Sequence, residues 1–150
     1  MPIHVELVTQ ERRVFDEPAA DIVMVPAVEG EMGVLPNHAP VLTTLTYGEL
    51  VVRKGAAEER FAIYGGVVDV RPDKVVILAD LAESSFELDL ERAQEAREHA
   101  RQALEEAPTE AENRDALMAL RRANLAVRIS QKIRSRGSGL RILDEDSDEV

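Results

Sequence analysis

The densest set of chemically capable side chains lies in twelve residues, Glu29 to Pro40, which carry Glu29, Glu31, Met32 and His38 between Gly30, Gly33, Pro36 and Pro40. A carboxylate beside an imidazole could move a proton or hold a metal ion. The remaining histidines, His4 and His99, are remote in sequence and fall in other predicted elements, and the chain has no cysteine. A metal centre is therefore not expected. The pair Gly65-Gly66 lacks the lysine of a phosphate loop. The serines gather at Ser84-Ser85 and near the C-terminus without a nucleophile elbow. Glu58-Glu59 reads as solvation of a hairpin turn rather than an acid–base pair. No nucleophile, base and oxyanion donor can be assembled, so an independent enzyme is not expected. What remains is a stiff loop. Glycines open its turns, prolines fix φ and push Leu35 and Ala39 towards extended backbone, and a loop held on a rigid scaffold is where binding groups concentrate.

Composition narrows the partners. The hydrophobic fraction of 45% is that of a folded chain, while aromatics make up 3% with no Trp, so the core must be aliphatic. A net charge of -11 and the lack of a stacking platform argue against nucleic acid. No signal segment opens the chain, and no apolar run approaches the roughly 20 residues that span a bilayer. The expectation is a soluble protein that meets a membrane only through a partner.

Two regions with different periods must hold the loop. Residues 1–85 alternate or run apolar in short stretches. Ile3-Val5-Leu7, Arg13-Val14-Phe15 (ended by Asp16-Glu17-Pro18), Ile22 to Val25, Val41 to Leu45, Glu49 to Arg53, Arg60 to Tyr64, Val67 to Val70 and Lys74 to Leu78 read as strands. Tyr47-Gly48 and Lys54-Gly55 read as turns, Gly65-Gly66 as a break, and a short extended piece, Val34-Leu35, sits within the loop. Short strands at this spacing predict a sandwich or barrel.

From about residue 86 the period becomes helical. Asp89 offers an N-cap, and Ala93, Ala96, Ala100, Ala103 and Ala107 form a stripe of small residues. Pro108-Thr109 breaks the helix, and a second one carries Ala116, Leu120, Ala123 and Val127. Residues 86–136 thus predict an antiparallel two-helix hairpin, giving an α+β chain. Alanine seams bury little area, so the hairpin should be held weakly and be detachable. Acids dominate its first helix, whereas between Arg114 and Arg141 the only acid is Asp115. That basic run either pairs with the acidic helix or is steered to an acidic protein partner. Residues 137–150 read as an acidic, disordered tail.

The order of these features resembles the epsilon subunit of F-type ATP synthases. The residues that carry the resemblance are the E-G-E-M-G-V-L-P-N-H-A-P loop, Tyr64-Gly65-Gly66-Val67-Val68-Asp69-Val70, Lys74 to Asp80, and the hairpin opening Leu88-Asp89-x-x-Arg92-Ala93. The likeness runs from about residue 3 to 130 and stops near Ile133. It implies a ten-stranded β-sandwich followed by two helices, in a non-catalytic subunit of the rotor stalk. It implies that the sandwich binds the gamma subunit and the c-ring, with Glu29, Glu31, Met32 and His38 at the c-ring loops. It implies a hairpin that inhibits ATP hydrolysis by reaching the catalytic beta subunits, where Arg114, Arg121, Arg122 and Arg128 would meet an acidic segment. Some members bind regulatory ATP through an I/L-D-x-x-R-A motif, which Leu88, Asp89, Arg92 and Ala93 match, with Glu83 and Arg122 at further contact positions. A family arginine four residues after Arg122 is replaced here by Ala126. No cofactor is required, and ATP would be a regulatory ligand. The expected location is the cytoplasmic face of a bacterial plasma membrane, or a plastid thylakoid, peripheral and through the complex. The competing reading is a free-standing β-sandwich adaptor with a helical interaction tail.

Overall fold

The period-two alternation of the first strand becomes a burial pattern. Ile3, Val5 and Leu7 of β1 (Ile3–Val8) are fully buried, and His4, Glu6 and Val8 between them are half-buried. The computed structural model describes residues 2–136 and 141–142. They form two compact units, one of residues 2–84 with 141–142 and one of residues 85–136.

The first unit is built on a ribbon of two long strands. β5 (Val41–Lys54) and β6 (Ala57–Val70) each span 14 residues and pair in one continuous register from Val41↔Val70 to Lys54↔Ala57. The turn expected at Tyr47-Gly48 and the break expected at Gly65-Gly66 are both inside strands. The glycines answer to close approach, not to chain reversal. A Cβ on Gly48 would stand 2.5 Å from Pro26 Cβ, and one on Gly66, where φ is 131°, would stand 2.2 Å from the Leu78 carbonyl oxygen.

The other strands attach along the ribbon. β2 (Arg13–Ala20), β3 (Ile22–Ala27), β4 (Gly30–Val34) and β7 (Lys74–Ala79) complete with β1 the order β2-β1-β7-β6-β5-β3-β4, and β8 (Ala82–Ser84) also pairs with β6. β7 lies on residues 66–70 of β6 and β8 on residues 61–63, so one strand serves both layers of the sandwich. Hence there are eight strands among the described residues, not ten, because β5 and β6 run unbroken through both layers. β2 continues past Asp16-Glu17-Pro18 instead of ending there. It is an edge strand, where a proline costs no ladder hydrogen bond, and its register with β1 shifts between Ala20 and Glu17. Aliphatic side chains fill the core around Phe15 and Phe61, whose rings are 5.1 Å apart.

Two acids sit inside this unit. Glu17 is 1% exposed, takes Lys54 Nζ at 3.0 Å and accepts from Ala19 N. Glu59, expected to solvate a hairpin turn, is fully buried on the inward row Ala57, Glu59, Phe61, Ile63. Part of the expected acidic tail joins it: Arg141 bonds Glu59 and Ile142 is fully buried in the core. The remainder of that tail, 137–140 and 143–150, lies outside the described residues.

The second unit opens with a 3-10 turn (Ser85–Glu87) and holds α1 (Leu90–Glu106) and α2 (Glu110–Arg136). Asp89 caps α1 by accepting from Glu91 N at 2.9 Å, and Thr109 Oγ1 accepts from Glu112 N at the start of α2. The expected stripe is narrower than five alanines. Ala93 and Ala100 are buried, Ala107 is half-buried, and Ala96 and Ala103 are exposed. The buried line therefore repeats every seven residues, as does Ala116, Ala123, Ser130 on α2. Near the base of the hairpin Ala93 packs with Ala126 and Val127, flanked by Leu88 and Leu90.

Candidate partner-binding surfaces

The loop that dominated the sequence divides into a hairpin and a turn. β3 and β4 close through Val28-Glu29, with Ala27 paired to Gly30, and Val28 N donates to Thr44 O. Glu31 and Met32 thus lie in a strand, not in a loop. Glu31 is exposed, whereas Met32 is half-buried and packs onto the core. Gly33 faces Met24 across the pair, so it provides room rather than a turn. The stiff part is Leu35-Pro36-Asn37-His38. Proline at the second position, Asn37 at φ 69° at the third, and a His38 N to Leu35 O bond of 3.2 Å describe a type II turn. Asn37 N also donates to Pro72 O at 2.8 Å, which ties the turn to the β6–β7 connection. His38 Nδ1 lies 2.7 Å from the carbonyl of its neighbour Ala39.

Exposed apolar side chains, missed in the sequence, accompany this turn. Val28, Leu35 and Leu42 are 56%, 57% and 72% exposed. A row on the outward face of the sheet continues from Thr44 to Val67 to Leu78 to Val8 by direct pairing, with Val67 and Leu78 exposed. The alternation of β6 and β7 carried the signal: Val67 and Leu78 stand out of phase with the buried Val68, Val70, Val75 and Ile77. Beside this row Glu6 is bridged by Lys74 Nζ and Arg13 Nη2, both at 3.1 Å. The Lys74 hydrogen bond holds its carboxyl below the usual range. Burial works to lower Arg60, but Glu49 and Glu58, both in contact with it, raise it further.

On the helical unit, Arg114, Arg121 and Arg128 are exposed and fall seven residues apart. They form one line, offset by two residues, or about 200° of helix, from the buried line Ala116, Ala123, Ser130. Arg122 is exposed beside it. Of the residues matching an ATP motif, Leu88 and Ala93 lie in the apolar cluster with Ala126, and Asp89 is engaged as the helix cap. Arg92 is exposed and lines a shallow depression on α1 with Glu95 and His99. Glu83 belongs to the sandwich unit, where Tyr64 Oη donates to it at 3.5 Å. Among the described residues no cluster of three metal-binding side chains occurs.

A model of the "ATP synthase, Delta/Epsilon chain, beta-sandwich domain" matches residues 2–85. The chain belongs to the ATP synthase delta/epsilon family. An ATP synthase epsilon chain of Herpetosiphon aurantiacus is 43% identical over 136 residues, covering 91% of this chain and 99% of that one. One of Moorella thermoacetica is 44% identical over 122 residues, covering 81% and 90%. A chain of the Euglena gracilis mitochondrial ATP synthase (OSCP/F1/c-ring, rotational state 1) superposes with a TM-score of 0.73 at 28% identity, over 82% of this chain and 78% of that one. A chain of the Tetrahymena thermophila mitochondrial ATP synthase central stalk and c-ring shares the fold, with a TM-score of 0.63 at 18% identity. No helix of the described residues is long and apolar enough to cross a membrane.

Proposed function

We propose that the chain is a non-catalytic rotor subunit whose sandwich joins the gamma subunit to the c-ring and whose hairpin restrains ATP hydrolysis. One observation carries the regulatory part: a seam lined by alanines, and closed near its base by Val127, backs a single line of exposed arginines. Each alanine methyl of that seam contributes little, about 0.8 kcal/mol, so the alanine-lined part of the hairpin opens at modest cost while the cluster around Val127 holds its base. The arginine line then supplies long-range attraction to an acidic segment on beta. The β3–β4 hairpin with Glu29 and Glu31 and the pinned turn with His38 suit contact with c-ring loops, and the outward apolar row suits gamma. The protein is then peripheral to the membrane, held there by the complex on its cytoplasmic face.

Replacing residues 90–136 by a flexible linker in the reconstituted complex, which keeps Arg141 and Ile142, tests this. Rotor assembly should persist and ATP hydrolysis should rise. Unchanged hydrolysis would remove the inhibitory role. Failure to co-purify with a gamma subunit would remove the rotor role and leave the free-standing adaptor.

A second reading, ATP as a regulatory ligand of the hairpin, is favoured by Arg92 and Arg122, two exposed guanidiniums suited to phosphates. With Ala126 in the apolar cluster, binding should be weak. Calorimetry of the full chain should give heat at millimolar ATP that Arg92→Ala abolishes. No heat in either chain would end this reading.

A further inference from the structure

Glu59 occupies a place that its sequence neighbours do not explain. It points inward between Ala57 and Phe61, opposite Val52, and is fully buried. A carboxylate on a core row is strongly disfavoured unless hydrogen-bonded and paired. The partner comes from 82 positions along the chain: Arg141 Nε lies 2.7 Å from Oε1 and Nη2 lies 3.3 Å from Oε2, a two-pronged guanidinium–carboxylate pair. The next residue, Ile142, is fully buried among the sandwich core residues. Charge and shape therefore act together, since the arginine meets the acid and the isoleucine fills the core beside it.

We propose that Arg141-Ile142 is a clip: the sandwich carries a built receptor for this chain's own C-terminal segment, and its occupancy restrains the helical hairpin. The restraint follows from connectivity. The hairpin leaves the sandwich unit after Ser84, and the chain is back in it at Arg141. From Arg136, the last residue of α2, to Arg141 is five Cα steps, a reach of at most about 18 Å. α2 has 27 residues and is about 40 Å long. With the clip seated, the end of α2 stays within that reach of the Arg141 backbone. Any movement that carries the end of α2 away by most of a helix length requires the clip to leave. The receptor site is a property of the sandwich alone, whereas its regulatory consequence rests on the hairpin reading above.

The absence of cysteine gives a direct test in the full chain. Ile142→Cys places a single thiol in the receptor, and Leu117→Cys, at a position 45% exposed, is the reference. With the clip seated, the thiol at 142 should react with an aromatic disulfide reagent about a hundredfold more slowly than the reference thiol, through transient opening. Adding Arg141→Gln should speed that reaction about tenfold or more, because both charge-assisted bonds are lost. Glu59→Gln should act in the same direction. Arg141→Gln alters no sandwich strand and carries the test should Glu59→Gln not fold. Equal reaction rates at 142 and 117, or rates indifferent to Arg141→Gln, would overturn the clip. In the reconstituted complex Arg141→Gln should lower ATP hydrolysis by freeing the hairpin. Faster labelling with unchanged hydrolysis would retain the clip and count against the hairpin as an inhibitor.

Discussion

Replacing Pro36 and Pro40 by glycine tests whether the loop must be stiff to transmit torque. Pro36 holds the second position of the turn whose third residue, Asn37, sits at φ 69° and is pinned by its amide to Pro72 O at 2.8 Å. Removing proline's restriction and adding glycine's freedom each raise the entropy of the open loop, by about 0.4–1 kcal/mol per change. Two such changes at two sites sum to roughly 2–4 kcal/mol, which is roughly a thirty- to several-hundredfold rise in loop opening. Hydrogen exchange of the Asn37 amide reads that opening directly, since its native partner is known. The sandwich core lies elsewhere, so exchange in β1 and β7 should not change. In vesicles holding the complex, ATP made per unit of proton flow should fall. Unchanged Asn37 exchange would refute the claim that the prolines set stiffness. Faster exchange with normal coupling would refute the link between stiffness and torque.

Other expectations follow from single features. Arg114→Ala, Arg121→Ala and Arg128→Ala together should weaken hairpin inhibition by about 0.6–3 kcal/mol, at about 0.2–1 kcal/mol for each exposed ion pair. The difference from wild type should shrink at high salt, and inhibition titrated at two ionic strengths checks both points. Gly66→Ala places a methyl 2.2 Å from Leu78 O at φ 131° and should cost about 2–6 kcal/mol in denaturant unfolding. Glu6 titrates below its ordinary value because of Lys74, so its bridge stabilises the fold above the carboxylate range and is lost as pH falls through it. Glu6→Gln should therefore lower thermal stability at pH 7 and converge with wild type in acid.

The fold was legible where one residue's environment is set by its neighbours in sequence. The alternation of β1, the Asp89 cap and the Pro108 stop depend on local periods and local hydrogen bonds. What misled was glycine. Gly48 and Gly65-Gly66 look like punctuation, yet their role is to admit Pro26 and the β7 backbone, which are distant in the chain. Reading them as turns cut two long strands in pieces. Pro18 looked like a stop for the same reason: only the sheet order, with β2 at the edge, tells that it is tolerated.

Sites divide along the same line. Exposure of the arginine line follows from its two-residue offset from a buried alanine line, and both are visible as seven-residue spacings. Glu59 was illegible because Glu58-Glu59 near Lys54-Gly55 fits a solvated hairpin, and phase alone distinguishes the two acids. Counting inward from Phe61 puts Glu59 on the core row and Glu58 off it. A buried acid then demands a cation, and the chain's last basic residue, Arg141, followed by the apolar Ile142, answers it. The C-terminal segment therefore combines one residue that neutralises and one that packs.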